Sequence, residues 1–183
     1  GDLRQWLDRQ QVEWQKAKAS PPMRLRLQQQ ALELMMQLLR GLVGMHGLEP
    51  EPLVHQDLKP GNLLLYKRVL KIADFGLACS YGDGGDGTEM GHVDAVAGGT
   101  VGWMAPEQMV QQAQWRRQVA EKRSKPEPPC DVWAFGLLLA LMLSEETAAA
   151  VGEFQQWVRC GGDEVATGEA GQLDFGDEKR VVA

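Results

Sequence analysis

Between Trp133 and Leu143 the chain carries no charged side chain. The run is well short of the roughly 18 residues a bilayer crossing requires, so it is read as a helix buried in a protein core. A helix that is apolar all round is stable in water only when other elements cover it. The chain must therefore build a globular core, and 183 residues, 44% of them hydrophobic and 24% charged, are enough for one domain to do so.

Nineteen basic and 25 acidic residues leave a formal charge of −6, and the imbalance is local. Residues 1–143 hold 16 of each sign, whereas residues 144–183 hold 3 basic and 9 acidic. Such a chain has no general electrostatic reason to bind nucleic acid or an anionic membrane, so neither is expected as a partner, and no membrane span is expected. The first residues, with Asp2, Arg4, Asp8, Arg9 and Glu13, do not read as a signal-peptide core. Cys79, Cys130 and Cys160 are odd in number and widely spaced, which supports neither a disulfide framework nor a zinc site. A reducing, intracellular and cytoplasmic setting is the expectation. Gly1 in place of Met suggests a piece of a longer protein.

Helical spacing of Leu3, Trp6, Leu7 and Trp14 predicts a first helix, which Ser20-Pro21-Pro22 breaks while starting a second. In that second helix Leu25, Leu32, Met35, Leu39, Leu42 and Val43 are expected on one apolar stripe, ended by Gly47 and Pro50. Leu63-Leu64-Leu65 and Val69-Leu70-Lys71-Ile72, separated by Tyr66-Lys67-Arg68, predict a small hairpin. Residues 78–102 read as a long irregular segment, and Gln108 to Pro129 as a polar surface insertion whose basic pairs, Arg116-Arg117 and Lys122-Arg123, are a solvated face. Residues 144–183 read as an acidic, Gly/Ala-rich segment that is partly ordered at most, with a short helix through Val151, Phe154, Trp157 and Val158.

The chemistry is concentrated in three stretches. They are Val54-His55-Gln56-Asp57-Leu58-Lys59-Pro60-Gly61-Asn62, then Asp74-Phe75-Gly76, then Gly99-Thr100-Val101-Gly102-Trp103-Met104-Ala105-Pro106-Glu107. Two carboxylates, an ammonium and an amide thus flank the hairpin. Such a group suits holding a divalent metal and a polyphosphate beside a hydroxyl that must lose its proton. Asp57 can accept that proton and Lys59 can offset charge on a transferred phosphoryl. Asn62 and Asp74 can offer hard oxygen ligands to magnesium. Any one of these motifs alone would be no more than a polar loop with a capped turn.

Together and in this order, the three stretches resemble the catalytic-loop, D-F-G and A-P-E signatures of eukaryotic protein kinases, and Asp131-Val132-Trp133-Ala134-Phe135-Gly136 is similar to the start of that family's long buried helix. The resemblance covers about residues 1–143. It implies an α+β fold, the kinase C-terminal lobe, mainly helical with a small β-hairpin at a catalytic loop of residues 55–62, an activation segment of residues 74–107 and a buried helix from about residue 131. It also implies protein serine/threonine kinase activity with ATP and Mg2+, and a protein substrate that presents serine or threonine. Asp57 would be the catalytic base and Lys59 the phosphate contact. Asn62 and Asp74 would hold the metal, with Leu64 part of the floor under adenine. Thr100 would bridge Asp57 and Lys59, His55 and Phe75 would stack, and Asp131 would anchor the catalytic-loop backbone. The Trp-Met-Ala-Pro-Glu stretch is reminiscent of tyrosine-kinase-like and plant receptor-like serine/threonine kinases.

The chain also departs from that pattern. Gln56 stands where the family has an arginine that grips a phosphate on the activation segment, and a neutral amide cannot serve as that cationic fork. No glycine-rich lid, strand lysine or helix glutamate precedes the resemblance, so the N-terminal lobe is expected to be absent and the cleft to be covered by such a lobe or by a partner. Gly82-Asp83-Gly84-Gly85-Asp86-Gly87 satisfies G-x-G-x-x-G, but its two carboxylates would repel phosphate and no strand precedes it. The alternative function is a non-catalytic, kinase-like module that binds a partner. His46, His92 and Cys79 are read as ordinary packed or surface residues.

Overall fold

The computed structural model describes residues 1–17, 20–80, 98–116 and 127–159. The acidic glycine stretch, Tyr81, Thr88, His92 and the chain beyond Arg159 lie outside them. Five helices and two small sheets make up these residues, so the α+β expectation holds at that level. Helices α1 (Leu3–Ala17) and α2 (Pro21–His46) come first. Strand β1 (Leu53–Val54) leads into the 55–62 loop, which closes in one 3-10 turn, Pro60–Asn62. Strands β2 (Leu63–Tyr66) and β3 (Val69–Ile72) follow, then β4 (Cys79–Ser80). Helices α3 (Pro106–Arg116), α4 (Pro129–Leu143) and α5 (Glu145–Arg159) complete the fold. No helix among the described residues is long and apolar enough to cross a membrane.

Strands β2 and β3 pair antiparallel with Leu63 opposite Ile72 and Tyr66 opposite Val69. The two-residue turn between them is Lys67-Arg68, both with positive φ, 48° and 67°. That geometry suits the right-handed twist of the strands but favours Asn-Gly, and each side chain held there costs roughly 1–2 kcal/mol. Gln37 of α2 fixes the turn from outside. Its amide donates to Arg68 O at 3.1 Å and its oxygen accepts from Leu70 N–H at 2.9 Å. The second sheet is the short antiparallel pair β1–β4, which places Val54 opposite Cys79.

The core forms where α2, α4 and the hairpin meet: Leu34, Met35, Leu38, Leu42, Leu58, Leu63, Leu138 and Met142 are all buried, with Leu3 of α1 sealing one side. The stripe expected on α2 is corrected here. The helix buries Leu27, Ala31, Leu34, Met35, Leu38 and Leu42, spaced by three and four, so of the expected set only Met35 and Leu42 face inward. Leu25, Leu32, Leu39 and Val43 remain exposed, together with Met36. The physical reason is that α2 carries two apolar faces, and helical periodicity cannot say which one its neighbours will cover.

Helix α4 meets the expectation of burial along one side, where Cys130, Asp131, Ala134, Leu138 and Met142 are buried, while the rest of its apolar run is half-buried apart from the exposed Gly136. Helix α5 packs on it, with Phe154 6.1 Å from Trp133 between ring centroids and Val151 buried. The expected polar insertion after residue 107 is corrected in its first part. Residues 106–116 are helical, and Gln108 is 2% exposed.

Candidate active site

One carboxylate organises the backbone of the 55–62 loop. Asp131, in the first turn of α4 and 1% exposed, accepts hydrogen bonds from His55 N–H and Gln56 N–H, both at 2.8 Å. His46 Nε2, at the end of α2, donates to the same carboxylate at 2.9 Å. A buried anion must be met by donors on each lone-pair side, and the end of α2 and the loop supply three here. The end of α2, the loop and the start of α4 are thereby fixed relative to one another.

The side chain of His55 extends that anchoring towards Asp74. Its Nδ1 accepts from Asp57 N–H at 3.3 Å, so Nε2 carries the proton and donates to Ala73 O at 3.0 Å. Its ring lies 5.2 Å from that of Phe75. Ala73 N–H in turn donates to Asn62 O at 2.9 Å, which sets the residue before Asp74 against Asn62. Asp74 itself has φ 63° and is exposed, and Gln56 has φ 70°. Two non-glycine residues held in the left-handed region beside one loop are stored strain of the kind found at functional sites.

Around Asp57 the expected groups converge. Lys59 Nζ lies 2.6 Å from Asp57 Oδ2 and donates to Thr100 Oγ1 at 2.7 Å. Thr100 donates to Asp57 Oδ1 through its N–H at 2.9 Å and through its hydroxyl at 2.7 Å. Asn62 Nδ2 donates to Asp57 O at 2.8 Å and to Oδ2 at 3.1 Å. These bonds join Asp57, Lys59, Asn62 and Thr100 directly, while Asp74 is joined through Ala73. Leu64, the expected adenine-floor residue, is 47% exposed on β2.

The residues suit a magnesium ion bound to a polyphosphate. Asn62 spends its amide nitrogen on Asp57, which leaves its oxygen as the atom to offer a cation, and Asp74 is an exposed carboxylate on the adjoining turn. Among the described residues no three His, Cys, Asp or Glu side chains form a metal cage, so a cation here would draw further oxygens from a phosphate or from water.

One residue of the site escaped the sequence reading, and a second, Gln56, has a contact there that the sequence did not show. Gln108 donates from Nε2 to Gln56 O at 3.1 Å and to Gly98 O at 3.2 Å, and accepts from Ala105 N–H at 2.9 Å. It ties the 98–105 segment to the loop that holds Asp57, and its position just after Ala-Pro-Glu is the single sequence cue. Gln56 uses its amide nitrogen to donate to Leu77 O, so the side chain that stands in place of an arginine braces the segment after Asp-Phe-Gly.

A family model described as the protein kinase domain matches residues 13–163, most of the chain. The chain belongs to the protein kinase domain family. Similar proteins of this family include a mitogen-activated protein kinase kinase kinase 7-like protein of Drosophila melanogaster, 34% identical over 120 residues, which is 64% of this chain and 25% of that one. Cysteine-rich receptor-like protein kinase 42 of Arabidopsis thaliana is 36% identical over 111 residues, 60% of this chain and 14% of that protein. Receptor-interacting serine/threonine-protein kinase 3 of Rattus norvegicus is 33% identical over 119 residues, 64% of this chain and 22% of that protein. The chain thus spans a quarter or less of these relatives, and its kinship with serine/threonine kinases is established over that part.

Proposed function

We propose that this kinase domain transfers the γ-phosphate of ATP to serine or threonine of protein substrates, and that the chain is the catalytic, C-terminal half of the domain. The observation that carries the reading is the set of bonds that gathers Lys59, Asn62 and Thr100 on Asp57. Asp57 orients the incoming hydroxyl and takes up its proton, while Lys59, already beside Asp57, meets the growing negative charge on the phosphoryl group. Asn62 and Asp74 would hold magnesium, which supplies charge neutralisation across the phosphates. Leu64 would lie under the adenine ring. Thr100, bonded to both Asp57 and Lys59, fixes the pair in one relative orientation, so catalysis is mostly positioning.

Regulation is part of the same reading. In place of an arginine that waits for a phosphate, Gln56 is already bonded to Leu77 O, so the loop needs no phosphorylated residue to hold it. The kinase domain is expected to stay active after phosphatase treatment.

A second reading, a non-catalytic kinase-like module that binds a partner, is favoured by the exposure of Leu64 and Phe75, both 47%, on the side that a covering element would have to close. The experiment that separates the two compares γ-phosphate transfer from labelled ATP by the wild-type domain and by Asp57→Asn, with Mg-ATP binding measured in parallel. Transfer lost in Asp57→Asn while nucleotide binding persists supports the enzyme. Equal incorporation by both removes Asp57 from the mechanism, and no transfer by wild type in the presence of the covering lobe favours the binding module.

A further inference from the structure

Away from Asp57, a hollow of about 230 Å³ opens between α1, α2 and the β2–β3 hairpin. That volume is below the roughly 300–1,000 Å³ that encloses a drug-sized molecule and suits a single side chain better. Trp6, Leu34 and Leu65 give it an apolar lining, and Arg9, Lys67 and Arg68 line it with cations. Gln30 and Glu33 complete the lining. Glu33 is the one carboxylate of the lining, and it is paired with Arg68 at 3.2 Å in a largely exposed contact. The lining is therefore cationic by two charges on a chain whose formal charge is −6.

The way these cations are held is unusual. Lys67 and Arg68 occupy both left-handed positions of the hairpin turn, where Asn-Gly would sit without strain, and Gln37 clamps the turn by its two bonds to Arg68 O and Leu70 N–H. Lys67 Nζ lies 5.3 Å from the centre of the exposed Tyr66 ring. Backbone conformation is thus strained, and then fixed, to present two charges beside an apolar hollow.

We propose that this groove docks an acidic peptide segment of a protein partner, seating one leucine or phenylalanine in the hollow and its flanking carboxylates against Arg9, Lys67 and Arg68. Charge complementarity selects the occupant. A basic segment would be repelled, and a nucleic acid or a flat lipid surface would not fill a one-residue apolar hollow. The site does not depend on phosphoryl transfer at Asp57, and it would serve a silent kinase-like module equally.

The test uses a short fluorescein-labelled peptide carrying one phenylalanine among glutamates, read by polarisation against the full chain. Binding with a dissociation constant of about 10–100 µM is expected, as befits a small exposed contact. It should weaken at least about tenfold in Arg9→Glu combined with Lys67→Glu, and fall steeply with added salt. Lys67→Asn with Arg68→Gly is the control for folding. It relieves the strained turn, so its melting temperature should rise while peptide affinity falls at least about tenfold. Unchanged affinity in both variants overturns the proposal, as does equal binding of a lysine-for-glutamate peptide or of polyglutamate without the phenylalanine. Capture by phosphatidylserine vesicles with no peptide binding would also overturn it and assign the patch to a membrane surface.

Discussion

Thr100 meets Asp57 twice on one oxygen, through its N–H at 2.9 Å and its hydroxyl at 2.7 Å, while Lys59 and Asn62 share the other oxygen. The carboxylate is thus held from both sides, and under the proposed reading a substrate hydroxyl would take the place of one of these donors to reach it. Under the proposed reading, Thr100→Val keeps the N–H contact and loses the hydroxyl. Phosphoryl transfer should fall by about 10- to 100-fold, through a misplaced Asp57–Lys59 pair, with a stability loss of about 1 kcal/mol. Thr100→Ser should restore most of the rate. Steady-state kinetics with a melting curve for each variant make the check, and a Val variant as fast as wild type would remove the threonine from the site.

The position before it is equally constrained. Gly99 has φ 152°, and a Cβ there would come within 2.7 Å of Met104 Cγ and 3.3 Å of Gln56 O. Gly99→Ala should therefore push Thr100 off Asp57. The expected result is a stability loss of about 1–3 kcal/mol, seen as a lowered urea midpoint.

Asp131 serves three donors while 1% exposed. Asp131→Ala would leave two buried backbone N–H groups and His46 without an acceptor. A cost of about 3–5 kcal/mol is expected, a large fraction of the stability of a domain of this size. Urea denaturation followed by tryptophan fluorescence should show the midpoint collapse, and a shift no larger than that of an exposed control such as Glu107→Ala would contradict the anchoring role.

Gln108 is 2% exposed and makes three bonds across the site. Gln108→Met keeps its size but leaves two carbonyls and one N–H unmatched, and should cost about 1–3 kcal/mol. Hydrogen exchange should report the loss as faster exchange at Ala105 N–H, the donor to Gln108 Oε1.

Burial pushes the Cys130 thiol far above its ordinary range, with the neighbouring Asp131 and Glu107 charges adding to the effect. Because the folded pKa lies above the unfolded one, this thiol favours the fold fully below the unfolded value near 8.5–9. That contribution is then lost as pH rises further, since only the unfolded chain releases the proton. The melting temperature of wild type should fall above about pH 9 more steeply than that of Cys130→Ala. In the native state at pH 8, alkylation of Cys130 should run at least about a hundredfold slower than that of a free thiol, as read by peptide mass spectrometry. Rapid native-state labelling would count against the buried environment.

Much of the site was legible because its chemistry is written in short, contiguous stretches. Asp57, Lys59 and Asn62 lie within six residues on one loop, so their approach is nearly a local matter once Pro60 and Gly61 turn the chain. The hairpin was legible for the same reason, and the structure moved just Tyr66 from the turn into a strand. Gln108 was not legible. An amide just after Ala-Pro-Glu reads as solvated polarity until Gln56 O and Gly98 O, 52 and 10 residues away, are seen to close on it.

What the sequence determined by itself was chemistry and local form: which loops carry the carboxylates and the ammonium, where the first two helices break and the second one ends, and that one later helix must be packed in the core. These follow from residue type and short-range periodicity, which act within a few turns of chain. Tertiary structure alone decided which of two apolar faces α2 turns inward, that His46 at the end of α2 would join the loop's N–H groups on Asp131, and that two cations on a strained turn would stand beside an apolar hollow. Those outcomes depend on contacts between segments tens of residues apart. Burial is a property of the neighbour that arrives as much as of the side chain that is covered.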